Sequence, residues 1–449
     1  MSACTPLASA FGKESTRTSA AAVRVIVPQT ALLQLMDALL ANKLEVFLAT
    51  QFKPPKMIWE GARPKTQQMD IISGLTLLVE KSMDMESRGA IAQADIKQHY
   101  DTMNCVRIFR WLVAKGLPTG LAAACLRHQL VPPVIISISG FTATVTNRCI
   151  GGLTGSRLAG QLGRIPVQAS LLDLLPALQP LAWSFDGVTV AVASFVDNLY
   201  YLSTSTGRAT KMGDMFEDHL LRHWGQAIKP SSKQVLPVLE TDDDVPSSGS
   251  WDVVSSMNVL GHAIQNSGSV SIDYRNTEIK MWKSFWANSG KLISMRGGQA
   301  YKLALLQRAT LPIADQHMVR WPFTRSRFRA VDAMQRKMLG TCVHVSAVFG
   351  ESVNAFCRRR KHLAKERQSQ MGCWSVRWAR QTHQWYEHLL RDLNFSIPAQ
   401  LLAVRTPTQL QERRAVWHRP RTRSVPGFTQ ARWCEKRQDA SELYRKSLL

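Results

Sequence analysis

Two short apolar runs, roughly a hundred positions apart in a chain of 449 residues, each deliver an aspartate to a strand end. Gly89 to Ala94 reads as a buried strand whose carboxyl end carries Asp95. Val188 to Val196 alternates apolar with small residues. It meets Leu199 to Leu202 across Asp197-Asn198, a two-residue turn signal for a hairpin. Such a chain must pair segments that are distant in sequence, and it offers Asp95 and Asp197 as carboxylates for one shared cation site. Taken singly, each has a plainer reading, because Asp caps helices and Asp-Asn suits any tight turn.

The remaining pattern is mostly helical. Leu32 to Leu48, Asp70 to Ser82 (amphipathic), Thr102 to Lys115 and Met215 to Ile228 have helical apolar spacing. Phe52 to Lys56 and Gly61 to Pro64 read as loops, and Val134 to Ile138 with Thr142 to Val145 as a hairpin. A glycine-dense segment (Gly151, Gly152, Gly155, Gly160, Gly163) precedes a helix over Val167 to Leu175, which Pro176 should end or kink. Glu240 to Trp251 reads as an acidic loop without a metal site. Basic helices follow over Glu278 to Ala287, Tyr301 to Thr310 and Arg327 to Leu339. From Phe356 onward the chain reads as basic helix with Trp374, Trp378, Trp385, Trp417 and Trp433, whose main expected use is packing.

Charge separates the chain into two parts. The formal net charge is +23, from 56 Lys and Arg against 33 Asp and Glu. From Met281 to Leu449 there are 31 basic and 10 acidic residues, against 25 and 23 before that point. A surplus confined to the final third points to a polyanionic partner, since Lys and Arg release counterions condensed on a phosphate backbone. The eight cysteines are scattered without a Cys-x-x-Cys pair, as expected of reduced, mostly buried thiols in a nuclear or cytoplasmic protein. His383 and His388 have plausible spacing for two zinc ligands, but Cys357 and Cys373 stand too far apart for a paired knuckle, so the histidines read as exposed helix residues. No apolar run approaches the about 18 residues that a membrane span requires.

In order along the chain, several segments resemble the motifs of reverse transcriptases of the non-LTR retroelement type. Gln93-Ala94-Asp95-Ile96-Lys97-Gln98-His99-Tyr100-Asp101 looks like motif A, and Phe195-Val196-Asp197-Asn198 like motif C. Gly61-Ala62-Arg63-Pro64 is similar to the Gly-x-Arg-Pro segment ahead of motif A. Ile228 to Lys233 resembles motif D, and Val259-Leu260-Gly261-His262 the primer grip. The resemblance implies metal contacts at Asp95, Ile96 and Asp197, with Asn198 beside them and Lys233 as proton donor to pyrophosphate. It implies Tyr100 as the residue excluding a ribose 2′ hydroxyl, and Arg63 and Lys65 facing the triphosphate. Gly152 and Gly155 stand in the place of motif B, whose usual Gln-Gly-x-Pro-x-Ser run is absent. Lys302, Arg308, Arg325, Arg327, Arg329, Arg336 and Lys337 look like the basic face of a thumb.

The fold so implied is α+β, a right-hand polymerase with a ferredoxin-like palm. Its expected parts are a disordered tail (1–27), fingers (28–90), palm (91–275), helical thumb (276–345) and a basic helical region (346–449). The implied activity is RNA-directed DNA synthesis with Mg²⁺, or Mn²⁺ in its place. An RNA template, a DNA primer or target, and dNTPs would be the partners, with any endonuclease supplied elsewhere. Asn198, where most such enzymes carry a second Asp, keeps a rival in play: a weakened or inactive relative that only binds nucleic acid. A further alternative, an unrelated basic RNA-processing protein, expects Asp95 and Asp197 to lie far apart.

Overall fold

Gly89, Ala90, Ala92 and Ala94 are small because the strand they form is covered on both sides: all four are buried, and a Cβ on Gly89 would fall 1.9 Å from the Trp183 ring. The computed structural model describes residues 7–12, 23–26 and 30–403, apart from 52–54, 64–65, 139–140, 147, 186, 241–248, 295–297, 322–323, 343–344 and 391–396.

In chain order the elements begin with β1 (Leu7–Gly12), β2 (Val23–Ile26), α1 (Ala31–Gln51), β3 (Ile58–Glu60), α2 (Gln68–Asp84) and β4 (Gly89–Asp95). There follow α3 (His99–Thr102), α4 (Cys105–Ala114), α5 (Thr119–Leu130), β5 (Val134–Ile138), β6 (Phe141–Val145) and α6 (Arg157–Leu178). Next come β7 (Trp183–Phe185), β8 (Val188–Val190), β9 (Val192–Phe195), β10 (Asn198–Ser203), α7 (Thr206–Trp224), β11 (Gln234–Val238) and β12 (Asp252–Val253). The chain continues with β13 (Ser256–Val259), β14 (His262–Gln265), α8 (Ser271–Ala287), α9 (Gln299–Ala309) and α10 (Leu311–Met318). It closes with α11 (Arg325–Cys342), α12 (Val353–Met371), α13 (Trp374–Leu390) and α14 (Ile397–Ala403). These fall into two compact units, Met1–Gln67 with Gly89–Val254, and Gln68–Arg88 with Ser255–Leu449.

The first unit is built on a six-stranded mixed sheet of order β12-β11-β4-β10-β9-β3. Its inner four strands, taken with α6 and α7, have the β11-β4-β10-β9 order of a split β-α-β, ferredoxin-like unit. Helix α7 lays Met212, Phe216 and Leu220 into the buried core, and Gly213 lets the Trp251 ring approach, since a Cβ there would meet it at 2.4 Å. A second sheet of order β2-β1-β5-β6 draws β1 and β2 from the stretch expected as a tail. The sequence reading of α6 needs correction. The helix starts ten residues earlier than the Val167 expected and continues through both Pro166 and Pro176. Each proline costs a helix interior about 3 kcal/mol, but Leu158, Leu162, Ile165, Val167, Leu171 and Leu178 are all buried along it. Burial at about 1.5–3 kcal/mol per large side chain outweighs that cost.

The second unit also departs from expectation. Helix α2 is not amphipathic in place: every residue from Met69 to Ser82 is buried, polar ones included. Asp70 is matched there by His388 Nε2 at 3.0 Å, so His388 is a partnered, half-buried group rather than an exposed one. Met281, Phe285, Leu306, Met318, Met338, Trp374 and Trp378 form the core of this unit. Trp374, Trp378 and Trp385 are buried as packing groups, while Trp417 and Trp433 lie outside the described residues. Among the described residues the cysteines are free thiols, and no helix is long and apolar enough to cross a membrane.

One buried cluster ties α1 to the start of α6. The Asp37 carboxylate accepts hydrogen bonds from Ser156 Oγ (2.5 Å) and the Arg157 amide (2.6 Å), and lies 3.0 Å from His128 Nε2. Burial pushes this carboxyl up, but its bonds to His128, Ser156 and Arg157 hold it below the usual value. Asp37→Ala would strand those donors and is expected to cost about 2–4 kcal/mol in urea unfolding at neutral pH. The deficit should shrink as the pH falls below the ordinary carboxylate range, where the wild type loses the same stabilisation.

Candidate functional site

Strand direction determines what can meet. β3 runs parallel to β9, while β10 runs antiparallel to both β9 and β4, and β11 antiparallel to β4. The carboxyl ends of β3, β4 and β9 therefore share one end of the sheet with the amino ends of β10 and β11. Gly61 to Arg63, Asp95 to Lys97, the Val196-Asp197 turn and Lys229 to Lys233 all emerge there.

Asp95 pairs in register with Asn198 across β4 and β10. The Ile96 amide donates to the Asp197 carbonyl at 3.1 Å, so Asp95, at the end of β4, lies beside the turn that carries Asp197 into β10. This placement contradicts the reading that expected them far apart. Both charges act on one group: burial raises the Tyr200 phenol far above its ordinary value, and Asp95 and Asp197 raise it further. The turn lies one residue earlier than the sequence suggests, at Val196-Asp197, with Asn198 already paired to Phe195. Asn198 Nδ2 donates to Asp197 Oδ1 at 3.0 Å, an internal bond that a second aspartate could not make.

The backbone around Asp95 is held from the motif D side. The Asp95 amide donates to Ser232 Oγ at 2.9 Å, and the Lys229 amide donates to the Asp95 carbonyl at 2.8 Å. Ile96, buried, forms a bridge with Ile228. Sequence reasoning misses Ser232, because a serine after Lys-Pro looks like any loop residue. It misses His99 as well. This residue is buried, with Nε2 2.9 Å from the Gly163 carbonyl and Nδ1 3.2 Å from Gln226 Nε2. Since the Gln226 amide can only donate, Nδ1 accepts and the proton is assigned to Nε2. Burial lowers the His99 pKa, opposed by the charge of Asp197.

Tyr100 lies half-buried on α3, against α6. A Cβ on Gly163 would come 3.3 Å from its ring and 2.9 Å from His99. The glycine-dense segment closes on the same place, with the Gly152 amide donating to the Tyr100 carbonyl at 2.9 Å. A Cβ on Gly152 would meet the Met103 side chain at 2.5 Å, so this glycine leaves room for that side chain. Gly155 is exposed.

Arg63 is partly exposed, its Nε 3.9 Å from Glu60, whereas Lys65 lies outside the described residues. Lys233 is buried rather than solvated. Its Nζ is 2.5 Å from Glu217 and 3.9 Å from Asp214 on α7, with the Trp251 ring 5.5 Å away.

In the second unit, Arg308, Arg329 and Lys337 are exposed. Arg336 donates to Gln368 Oε1 at 3.1 Å. Arg327 is half-buried, its guanidinium pulled below the usual value by burial. The Arg325 side chain lies outside the described residues. Lys302 is a correction: it is buried with Nζ on the Ile293 carbonyl, which removes it from any nucleic-acid face. Arg358, Lys361 and Lys365 on α12, which motif order does not pick out, are exposed at helical spacing. The run Arg358-Arg359-Arg360-Lys361 is the signal that could have found them.

No protein-family model matches the chain, and no curated protein does. Among solved structures, telomerase from Candida tropicalis with a TWJ fragment of telomeric RNA matches over 89% of this chain and 64% of its own. The identity is 10% and the TM-score 0.45. Apo telomerase from Candida tropicalis matches over 87% and 67%, at 11% identity and a TM-score of 0.44. A form truncated from the C-terminal domain matches over 59% of this chain and 54% of that one, at 10% identity and 0.42. The chain thus spans between about half and two-thirds of these structures' lengths. At such scores the overlaps are loose, and the functional reading rests on the sheet geometry.

The turn stores strain that can be measured. Val196 adopts φ 59°, a region unfavourable to a β-branched residue. Val196→Asn is expected to raise unfolding stability by about 1 kcal/mol. An unchanged or lower denaturation midpoint would show the turn to be relaxed.

Proposed function

We propose that the chain is a template-directed nucleotidyl transferase of reverse-transcriptase type, in which Asp95 and Asp197 hold two divalent cations. The observation that carries this reading is the β4–β10 register, which brings two acids from distant segments to one sheet end in the order the motifs require. The donor set fits Mg²⁺ or Mn²⁺, because carboxylate and carbonyl oxygens are what these ions prefer. Both aspartates are only half-buried, with the backbones around them fixed by β10 and Ser232. When bound, such ions activate a primer 3′ hydroxyl and neutralise charge on the departing pyrophosphate.

The chain's own residues then divide the work of binding and orientation. Asp95, Asp197 and the Ile96 carbonyl would supply the cation ligands. Tyr100, steadied by Gly163 and the Gly152 amide, would stand against the ribose and disfavour a 2′ hydroxyl. Arg63 and Lys65 would meet the triphosphate, with Gly155 offering backbone to a base. Lys233 reaches a leaving pyrophosphate only by giving up Glu217. Arg308, Arg329 and Lys337, with Arg358, Lys361 and Lys365, supply the basic surface for an RNA template and a DNA primer or target. The resemblance of Gly61-Ala62-Arg63-Pro64 to the Gly-x-Arg-Pro segment favours the non-LTR retroelement type among such enzymes.

A second reading, a binder with little or no catalysis, draws on Asn198 and on the commitment of Lys233 to Glu217. Primer extension on an RNA template with Mg²⁺ or Mn²⁺ separates the two. On the polymerase reading, Asp95→Asn and Asp197→Asn each lower synthesis by about two orders of magnitude or more while template binding persists. Asn198→Asp should lower the Mg²⁺ concentration needed for half-maximal synthesis. No synthesis by the wild type under any divalent ion would favour the binder. On either reading, Arg329→Ala or Lys337→Ala should reduce the slope of log K against log salt by about 0.7–0.9 for each phosphate that is no longer neutralised.

A further inference from the structure

The second unit holds a group of side chains that the proposed polymerase chemistry does not use. His262 begins β14, Asp273 lies in the first turn of α8, and His317 sits near the end of α10. All three are buried, and one ligand atom from each lies within 4.8 Å of the others. His317 Nδ1 is 3.1 Å from Asp273 Oδ1, and His262 Nδ1 is 3.7 Å from the same oxygen. Asp273 also accepts from the Ala263 amide at 3.0 Å and from Trp321 Nε1 at 3.0 Å. The carboxylate is thus held by two donors outside the trio as well as by His317 Nδ1, whose proton a bound cation would displace. His262 Nδ1 has no hydrogen-bond partner among the described residues, although His262 is only 2% exposed.

An unpartnered imidazole nitrogen costs free energy in a buried position unless something occupies it. We infer that His262, Asp273 and His317 form a binding site for one zinc-class divalent cation, with a fourth position open to water.

Distances support this assignment. Zinc bonds of about 2.0–2.1 Å in a tetrahedral arrangement set neighbouring donors about 3.3–3.4 Å apart. The two measured edges, 3.1 and 3.7 Å, bracket that value. The imidazoles now stack with centroids 3.8 Å apart at 29°, so binding requires them to part. No hydrogen bond of His262 Nδ1 has to break for this to happen. The outer shell is in place: Trp321 and the Ala263 amide orient Asp273, as outer partners do for metal ligands generally. Protonation does not compete, because burial, then His317, holds the His262 pKa down at about 3. Arg320, buried with Nη2 on the Ala263 carbonyl, opposes a second positive charge, while the Glu80 carboxylate acts on Arg320 in the opposite sense. A bound ion would pin the β13–β14 hairpin to α8 and α10.

The test uses the full chain stripped of metal and titrated with Zn²⁺ against a colorimetric chelator, with Co²⁺ absorption as a second readout. One Zn²⁺ per chain is expected. Affinity should fall at least about tenfold in His262→Gln and in His317→Gln, and stay unchanged in Asp197→Asn. His262→Gln removes no hydrogen bond of Nδ1, so its fold should survive, and its circular dichroism checks this. Tetrahedral Co²⁺ bands in the wild type, lost in His262→Gln, would support the site whatever the fate of polymerase activity. No uptake of Zn²⁺ by the wild type, or equal affinity in the wild type and both histidine variants, would overturn it.

Discussion

The pairing of β4 with β10 is the constraint on which the rest of the candidate site depends. Six residue pairs, from Asn198 with Asp95 to Ser203 with Ala90, fix the register. A slip of one residue would turn every side chain to the opposite face. Burial prevents that slip: Leu199, Tyr200, Tyr201 and Leu202 are wholly buried, so neither face of β10 is interchangeable with solvent. The small residues of β4 answer to close cover on its faces, as where the Trp183 ring lies against Gly89. Asp95 therefore stands beside Asp197 because the buried residues of β10 fix the alignment, and the two aspartates add backbone hydrogen bonds to it.

Two carboxylates that are to receive cations must not be neutralised by the protein's own cations. His99 illustrates how this is managed. It lies within electrostatic reach of Asp197, and a charged imidazole there would be a permanent competitor. Burial favours the neutral ring, the Gly163 carbonyl takes up Nε2–H, and the Gln226 amide donates to Nδ1. That last bond is lost if the ring protonates, so the network selects one neutral tautomer. Lys233 is treated in a comparable way, its ammonium satisfied on Glu217 of α7. Asn198, in turn, engages one oxygen of Asp197 without adding charge.

What can be read from sequence follows the range of the interactions involved. Gly89–Asp95 is legible as a strand because small and apolar residues in a short run carry that signal locally. The β9–β10 hairpin is legible too, but sequence places its turn one residue late, since Asp-Asn is the better turn dipeptide and Val196 the poorer one. Helix α6 is foreshortened in sequence because proline is a strong local breaker, and only tertiary burial tells that Pro166 and Pro176 are overruled. Helix α2 looks amphipathic because its polar residues find partners far along the chain, Asp70 with His388 among them. Ser232, Gln226 and His99 are invisible as site residues for the same reason: each acts through a hydrogen bond to a distant segment. The order of the motif-like segments locates Asp95 and Asp197; it does not reveal what holds them.

The two candidate cation sites differ in a way that makes them chemically separable. The sheet end offers carboxylate and carbonyl oxygens on half-buried residues, a donor set that suits a hard ion keeping its waters and phosphates. The second unit offers two imidazole nitrogens and one carboxylate, all buried, which suits a borderline ion that keeps a single water. Mg²⁺ gains little from imidazole and dehydrates reluctantly, so it cannot substitute in the second site. Zn²⁺ can bind carboxylates, but a site with few ligands and open to solvent holds it weakly. Hardness of the donors, rather than total acidity, therefore decides which ion each place can retain.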